Sequence, residues 1–288
     1  MKFDSFSPSS RIEANYRLAL KAMMDEFVSV LKPLNVTDPL QILAALRDFY
    51  NGNFYRQGAY AAASRMVTGL AIDNARTWRE AARASMKGRM VYRSLMHELQ
   101  GPTGYVIQVI IDRNARMITS LAEDMARKVA EFIRDETLKG KRSSAIAEDL
   151  VEQFPEASTA RLNLIARTET SKASTALTRV RAESLGLDWY VWRTSKDARV
   201  RSSHRMLDRV IVNWNDPPAP EALAGIKSTL GHYSAGDAPN CRCYPEPLLR
   251  LDQVKFPCKV YRSGSIAYMT RADFARIAGI TGGMNKAA

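Results

Sequence analysis

Three groups of side chains in this chain are spaced so that they could carry chemistry. The first is Asn240-Cys241-Arg242-Cys243. In an extended segment alternate residues face the same way, so Cys241 and Cys243 present two thiols to one side while Arg242 points to the other. Together with His204 they supply three ligands of a tetrahedral zinc set, and Asp197 or His232 is the candidate fourth. The spacing is C-x-C, whereas common zinc modules use C-x2-C. The expectation is therefore a structural cluster with no resident cofactor, and zinc on His204, Cys241 and Cys243 is the alternative.

The second group is Asp197-Ala198-Arg199-Val200-Arg201-Ser202-Ser203-His204. If Asp197 caps a short helix, then Asp197, Arg201 and His204 fall on one face, and His204 shares a stripe with Val200 and Leu207. The third group lies on a helix expected from about Ser158 to Ser184. Its apolar stripe is Leu162, Ala166, Ala173, Leu177 and Val180, and the residue that completes the spacing is Glu169. A carboxylate on a core-facing stripe needs a cationic or metal partner; Arg199 and Arg201 are the candidates. Polar residues on apolar stripes need one another, so Arg167, Thr168 and Glu169, the segment Asp197 to His204, and Asn240 to Cys243 are expected to converge. No catalytic residue is assigned. The chain has no Walker A, G-x-G-x-x-G, H-E-x-x-H or G-x-S-x-G sequence.

The elements that must position these groups follow from periodicity and punctuation. Ser10 and Glu13 form a capping-box pattern, and Ile12, Tyr16, Leu20, Met23, Phe27 and Leu31 follow at helical spacing up to Pro33. A short helix is expected from Pro39 to Tyr50, broken at Asn51-Gly52-Asn53, and one or two long helices from Tyr55 to Leu99, with weak points at Gly58, Gly69 and Gly88. From Tyr105 to Lys139 a helix of roughly 50 Å carries Met117, Leu121, Met125, Val129 and Phe132 on one stripe. Residues 144 to 152 read as a small helix that Pro155 separates from the next. Trp189 to Trp192 and Val210 to Val212 read as strands. Lys259 to Tyr261 and Ile266 to Met269 form a hairpin, and Thr270 with Asp273 caps a last helix. The fold class expected is α+β: a long-helix-rich N-terminal half, a small mixed C-terminal domain, and a short hairpin-helix tail. The expected segments are 1–104, 105–154, 155–250 and 251–288.

Composition removes whole classes of function. With 46% hydrophobic and 25% charged residues the 288-residue chain is globular, and charged residues interrupt each apolar stretch, so no membrane span is expected. The polar start, Met1 to Arg11, has no apolar segment to direct export, and three cysteines do not suggest a disulfide framework. Net charge is +12, spread as +5 over residues 1–100, −1 over 101–154, +4 over 155–250 and +4 over 251–288. A dispersed excess of this kind favours weak, sequence-independent contact with polyanions.

Four stretches occur in order: Ile165-Ala166-Arg167-Thr168-Glu169-Thr170, Trp192-Arg193-Thr194, Asp197 to His204, and Asn240-Cys241-Arg242-Cys243. In this the chain resembles the phage Mu protein F-like family of tailed bacteriophages. It departs at Leu207-Asp208-Arg209, where similar proteins carry glycine in third place, which puts the local turn in question. The resemblance implies a minor head protein held inside the procapsid and virion, assembled in the host cytoplasm, that takes part in head morphogenesis. Implied partners are the portal protein, then major capsid or scaffold protein, and packaged double-stranded DNA. A rival reading is a phage-encoded hydrolase or transferase using Glu169, Arg199, His204 and the cysteine pair.

Overall fold

The computed structural model describes residues 6–29, 39–83, 95 and 98–279; the expectations at Leu31, Pro33 and Gly88 lie outside them. Helix α1 (Ser10–Ser29) buries Tyr16, Leu20, Met23 and Phe27, the stripe its spacing predicts. Helices α2 (Pro39–Asn51) and α3 (Asn53–Arg83) are parted at Gly52 alone. Helix α4 (Pro102–Leu138) has 37 residues, about 55 Å at 1.5 Å each. Its buried face centres on Ile118, Leu121, Met125, Val129 and Ile133, while Met117 and Phe132 sit half-buried at the border.

Helix α5 (Ser143–Ser184) runs through Pro155, which corrects the two-helix expectation. An internal proline removes one backbone donor and costs about 3 kcal/mol. Here Ile146 and Leu150 before it and Leu162 and Ala166 after it are buried. A buried aliphatic side chain contributes about 1.5–3 kcal/mol, so packing on both sides outweighs the lost bond.

Contacts divide the chain into two units, one comprising Ser10–Gly69 and Ile107–Thr170, the other Met1–Ser9, Leu70–Val106 and Ser171–Ala288. The first is helical. Two tyrosines tie its helices: Tyr16 donates to Asn114 Oδ1 at 3.1 Å, and Tyr55 donates to the Ile118 carbonyl at 3.3 Å.

The second unit holds the sheet. Its strands are β1 (Trp189–Arg193), β2 (Ile211–Asn213), β3 (Tyr244–Pro247), β4 (Cys258–Arg262) and β5 (Ser265–Met269), in the order β3-β1-β2-β4-β5. β1 is antiparallel to both β2 and β3, β2 is parallel to β4, and β4 is antiparallel to β5. The hairpin expected as a separate tail thus shares a sheet with the strands before it. Its two-residue turn, Ser263-Gly264, has φ values of 47° and 88°, the left-handed pair a tight hairpin requires. Thr270 accepts from the Asp273 amide at 3.2 Å at the start of α8 (Arg271–Ile277), as the sequence predicts.

Alternation sends successive side chains to opposite faces of the sheet. Tyr190, Trp192, Val210, Val212 and Trp214 pack with Trp78, Ala182, Leu207 and the two cysteines. Val191, Ile211 and Val260 pack with Leu248, Leu251 and Phe274. Both faces are covered, so the strands read as apolar runs rather than alternating ones. The chain is α+β.

Candidate functional site

The site gathers on the Trp192 face of the sheet. Thr194, just past β1, donates through its amide and its hydroxyl to Asp208 Oδ1, both at 3.0 Å. Arg209 returns its amide to the Trp192 carbonyl at 2.8 Å. Between these ties lies the four-residue helix α6 (Ser202–Arg205), which holds His204 2% exposed with its ring edge against Trp192, centroids 5.7 Å apart. The cysteines come from the chain entering β3. Asn240 has φ 58°, a left-handed conformation asparagine tolerates, and it turns the chain so that Cys241 and Cys243 follow, 3% and 2% exposed.

His204 Nδ1 lies 3.4 Å from each Sγ, and the Cys243 amide donates to Cys241 Sγ at 3.4 Å. On the other side of the ring, Nε2 is 2.8 Å from the Tyr233 hydroxyl, which donates to Glu221 Oε2 at 2.6 Å. Ser203 donates to Glu221 Oε1 at 3.2 Å. Glu221 is on α7 (Pro220–Leu223). Burial opposes its charge, yet the hydrogen bonds from Tyr233 and Ser203 hold its carboxyl below the usual range. The hydrogen bond from Cys243, with His204 beside it, pulls Cys241 well below an ordinary thiol; as the donor in that pair and a buried group, Cys243 is pushed up.

Other predicted residues are placed differently. Asp197 does not cap α6: it accepts from the Arg199 amide at 2.9 Å and binds Arg242 at 2.6 Å, an Asx turn locked by a cation. It is not among the ligand atoms that gather within 4.8 Å of one another, which are those of His204, Cys241 and Cys243. His232 is exposed and its Nδ1 is 2.8 Å from the Pro217 carbonyl, so it also stands apart. Arg201 donates to the Pro239 carbonyl at 2.7 Å, and the Arg199 side chain is exposed. Glu169, buried on its stripe, has a cationic partner, but that partner is Arg113 of α4 at 2.8 Å rather than Arg199 or Arg201. Two long helices packed side by side bring a distant arginine within reach, which one-dimensional spacing does not show. Thr168 is buried, and Arg167 lies 3.6 Å from Glu13 of α1. The sequence reading thus joins two clusters that are built separately: Arg113–Glu169 with Arg167–Glu13 in the helical unit, and His204, Cys241 and Cys243 with Asp197–Arg242 in the sheet unit.

Residues 127–245 match the family described as Phage Mu protein F like protein. That segment is similar to the phage Mu protein F-like family. It begins within α4, ends on β3 and contains all four ordered stretches, including every residue of the His204, Cys241, Cys243 cluster. An uncharacterized protein of Haemophilus influenzae is 29% identical over 136 residues, which is 47% of this chain and 28% of that protein's length. The chain therefore spans under a third of that relative. No solved structure matches it. Within the matched segment, sequence reasoning misses Tyr233, Glu221 and Gly236. Gly236 has φ 97°, and a Cβ there would stand 2.3 Å from Thr175 Oγ1. Its loop is pinned to α5 by Thr175 donating to the Ala235 carbonyl at 2.8 Å.

Proposed function

We propose that the chain is a bacteriophage minor head protein that acts in head morphogenesis. The observation that carries this reading is the family match over residues 127–245, which takes in His204, Cys241 and Cys243. The carboxylates that would serve a hydrolase are engaged in structural pairs: Glu169 with Arg113, Asp197 with Arg242, and Glu221 with Tyr233 and Ser203. That supports a structural role over the enzymatic reading.

The partner is the portal protein, met through the helical unit. Leu18, Phe54 and Leu138 of that unit are 60%, 72% and 80% exposed and are the side chains to vary in testing this contact. Major capsid or scaffold protein is the second contact. Packaged double-stranded DNA is touched weakly and without sequence preference, in keeping with the dispersed charge of +12. The chain resides inside the head, having assembled there in the host cytoplasm.

The test is co-expression of the full chain with the portal protein of the same phage, followed by sedimentation of the complex and of procapsids. Co-sedimentation with both, weakened by Phe54→Ser with Leu138→Ser, is expected. A chain that stays at the top of the gradient and is absent from procapsids would overturn the proposal.

A further inference from the structure

We propose that His204, Cys241 and Cys243 hold one zinc ion that locks the Tyr233–Asn240 loop to α6 and the β3 edge. The distances already suit the metal. Zn–S near 2.3 Å and Zn–N near 2.1 Å at tetrahedral angles place a ligating nitrogen about 3.6 Å from each sulfur. His204 Nδ1 is 3.4 Å from both, and the three ligand atoms lie within 4.8 Å of one another.

The hydrogen bonds around the ring decide which nitrogen can ligate. Tyr233 gives its only proton to Glu221, so at the 2.8 Å contact with His204 its oxygen must accept, and Nε2 carries the ring proton. Nδ1 is left with its lone pair directed at the two thiols. A carboxylate behind the polar group that orients a histidine is the usual support of a metal ligand. The Cys243 amide, donating to Cys241 Sγ, supports a thiolate in the same way.

The fourth position opens on a pocket lined by Ser195, Arg199, Arg201, Asn240 and Arg242, where water completes the tetrahedron. Ion entry releases to solvent the proton that Cys243 shares with Cys241, with any still held on Cys241, and leaves Zn²⁺ bound by two thiolates, the neutral imidazole and water. The role is structural: Glu221, the carboxylate beside His204, lies behind the ring and is committed to Tyr233 and Ser203.

The experiment uses untagged full-length protein purified without chelator. Elemental analysis is expected to give one zinc per chain, lost in Cys241→Ser with Cys243→Ser. Because that variant can fail to fold, the wild-type protein is also stripped and titrated with zinc and with cobalt. Zinc should protect two thiols from alkylation while Cys258, on β4, reacts as before, and cobalt should give thiolate-to-metal charge-transfer absorption. Tyr233→Phe should weaken zinc binding about 10- to 100-fold. Wild-type protein with no zinc above the double variant's background, no thiol protection and no charge-transfer band would overturn the proposal in favour of a metal-free packing cluster. An unchanged affinity in Tyr233→Phe would remove His204 as a ligand oriented by that chain of bonds.

Discussion

Arg209 sits at φ 65°, with its side chain mostly in water and its amide bonded to Trp192. An L-residue in that region costs roughly 1–2 kcal/mol, whereas glycine pays mainly in unfolded-chain entropy, about 0.5–1 kcal/mol. Arg209→Gly is therefore expected to leave stability within about 1 kcal/mol of the parent in urea unfolding. Arg209→Val, branched at Cβ, should lose about 1–2 kcal/mol. The turn geometry put in question by the absent glycine is thus kept, with the arginine held in glycine's conformation. Gly236 leaves less room. Its positive φ and the approach of Thr175 Oγ1 make Gly236→Ala an overpacking change, expected to cost about 2–4 kcal/mol and read by the same measurement. At this scale the sequence reveals residue types but not partners. Cys241, Cys243 and His204 are visible as chemistry because of what they are. Tyr233 and Glu221 look like ordinary loop residues until folding sets them behind the imidazole.

Helices were the most legible elements, because burial imposes a period that survives in the chain. The α1 stripe from Tyr16 to Phe27 and the α5 stripe from Leu162 to Val180 are buried as their spacing predicts, Glu169 included. What periodicity does not carry is which helix faces which. Spacing therefore does not reveal Arg113 on α4 as the partner of Glu169, and the local effect of Pro155 is overridden by packing on both sides of it. The pairing has a measurable consequence. Arg113→Ala leaves the buried Glu169 carboxylate without its 2.8 Å donor, and a loss of about 1–3 kcal/mol in thermal or urea unfolding is expected. Glu169→Gln, which keeps the shape and can still accept a hydrogen bond, should lose less. The β4-β5 hairpin was legible from its turn residues; its parallel seat beside β2 was not, because a long-range pairing leaves no local mark.

For the molecule as a whole, the dispersed positive charge predicts DNA binding that depends on salt and not on sequence. Affinity for duplexes of unrelated sequence should be equal and should fall steeply between about 50 and 200 mM salt; binding that ignores salt would point to a mechanism other than phosphate neutralisation. β3 is one of the two outer strands of the sheet. The Leu248 amide points inward, to the Trp189 carbonyl at 2.9 Å, so by alternation the nitrogens of Pro245 and Pro247 point outward. Prolines have no N–H, and the outer rim of β3 therefore offers carbonyls with no donors between them at those two positions. No neighbouring strand can zip onto it in register. This edge of the sheet is thereby sealed against edge-to-edge growth into fibres.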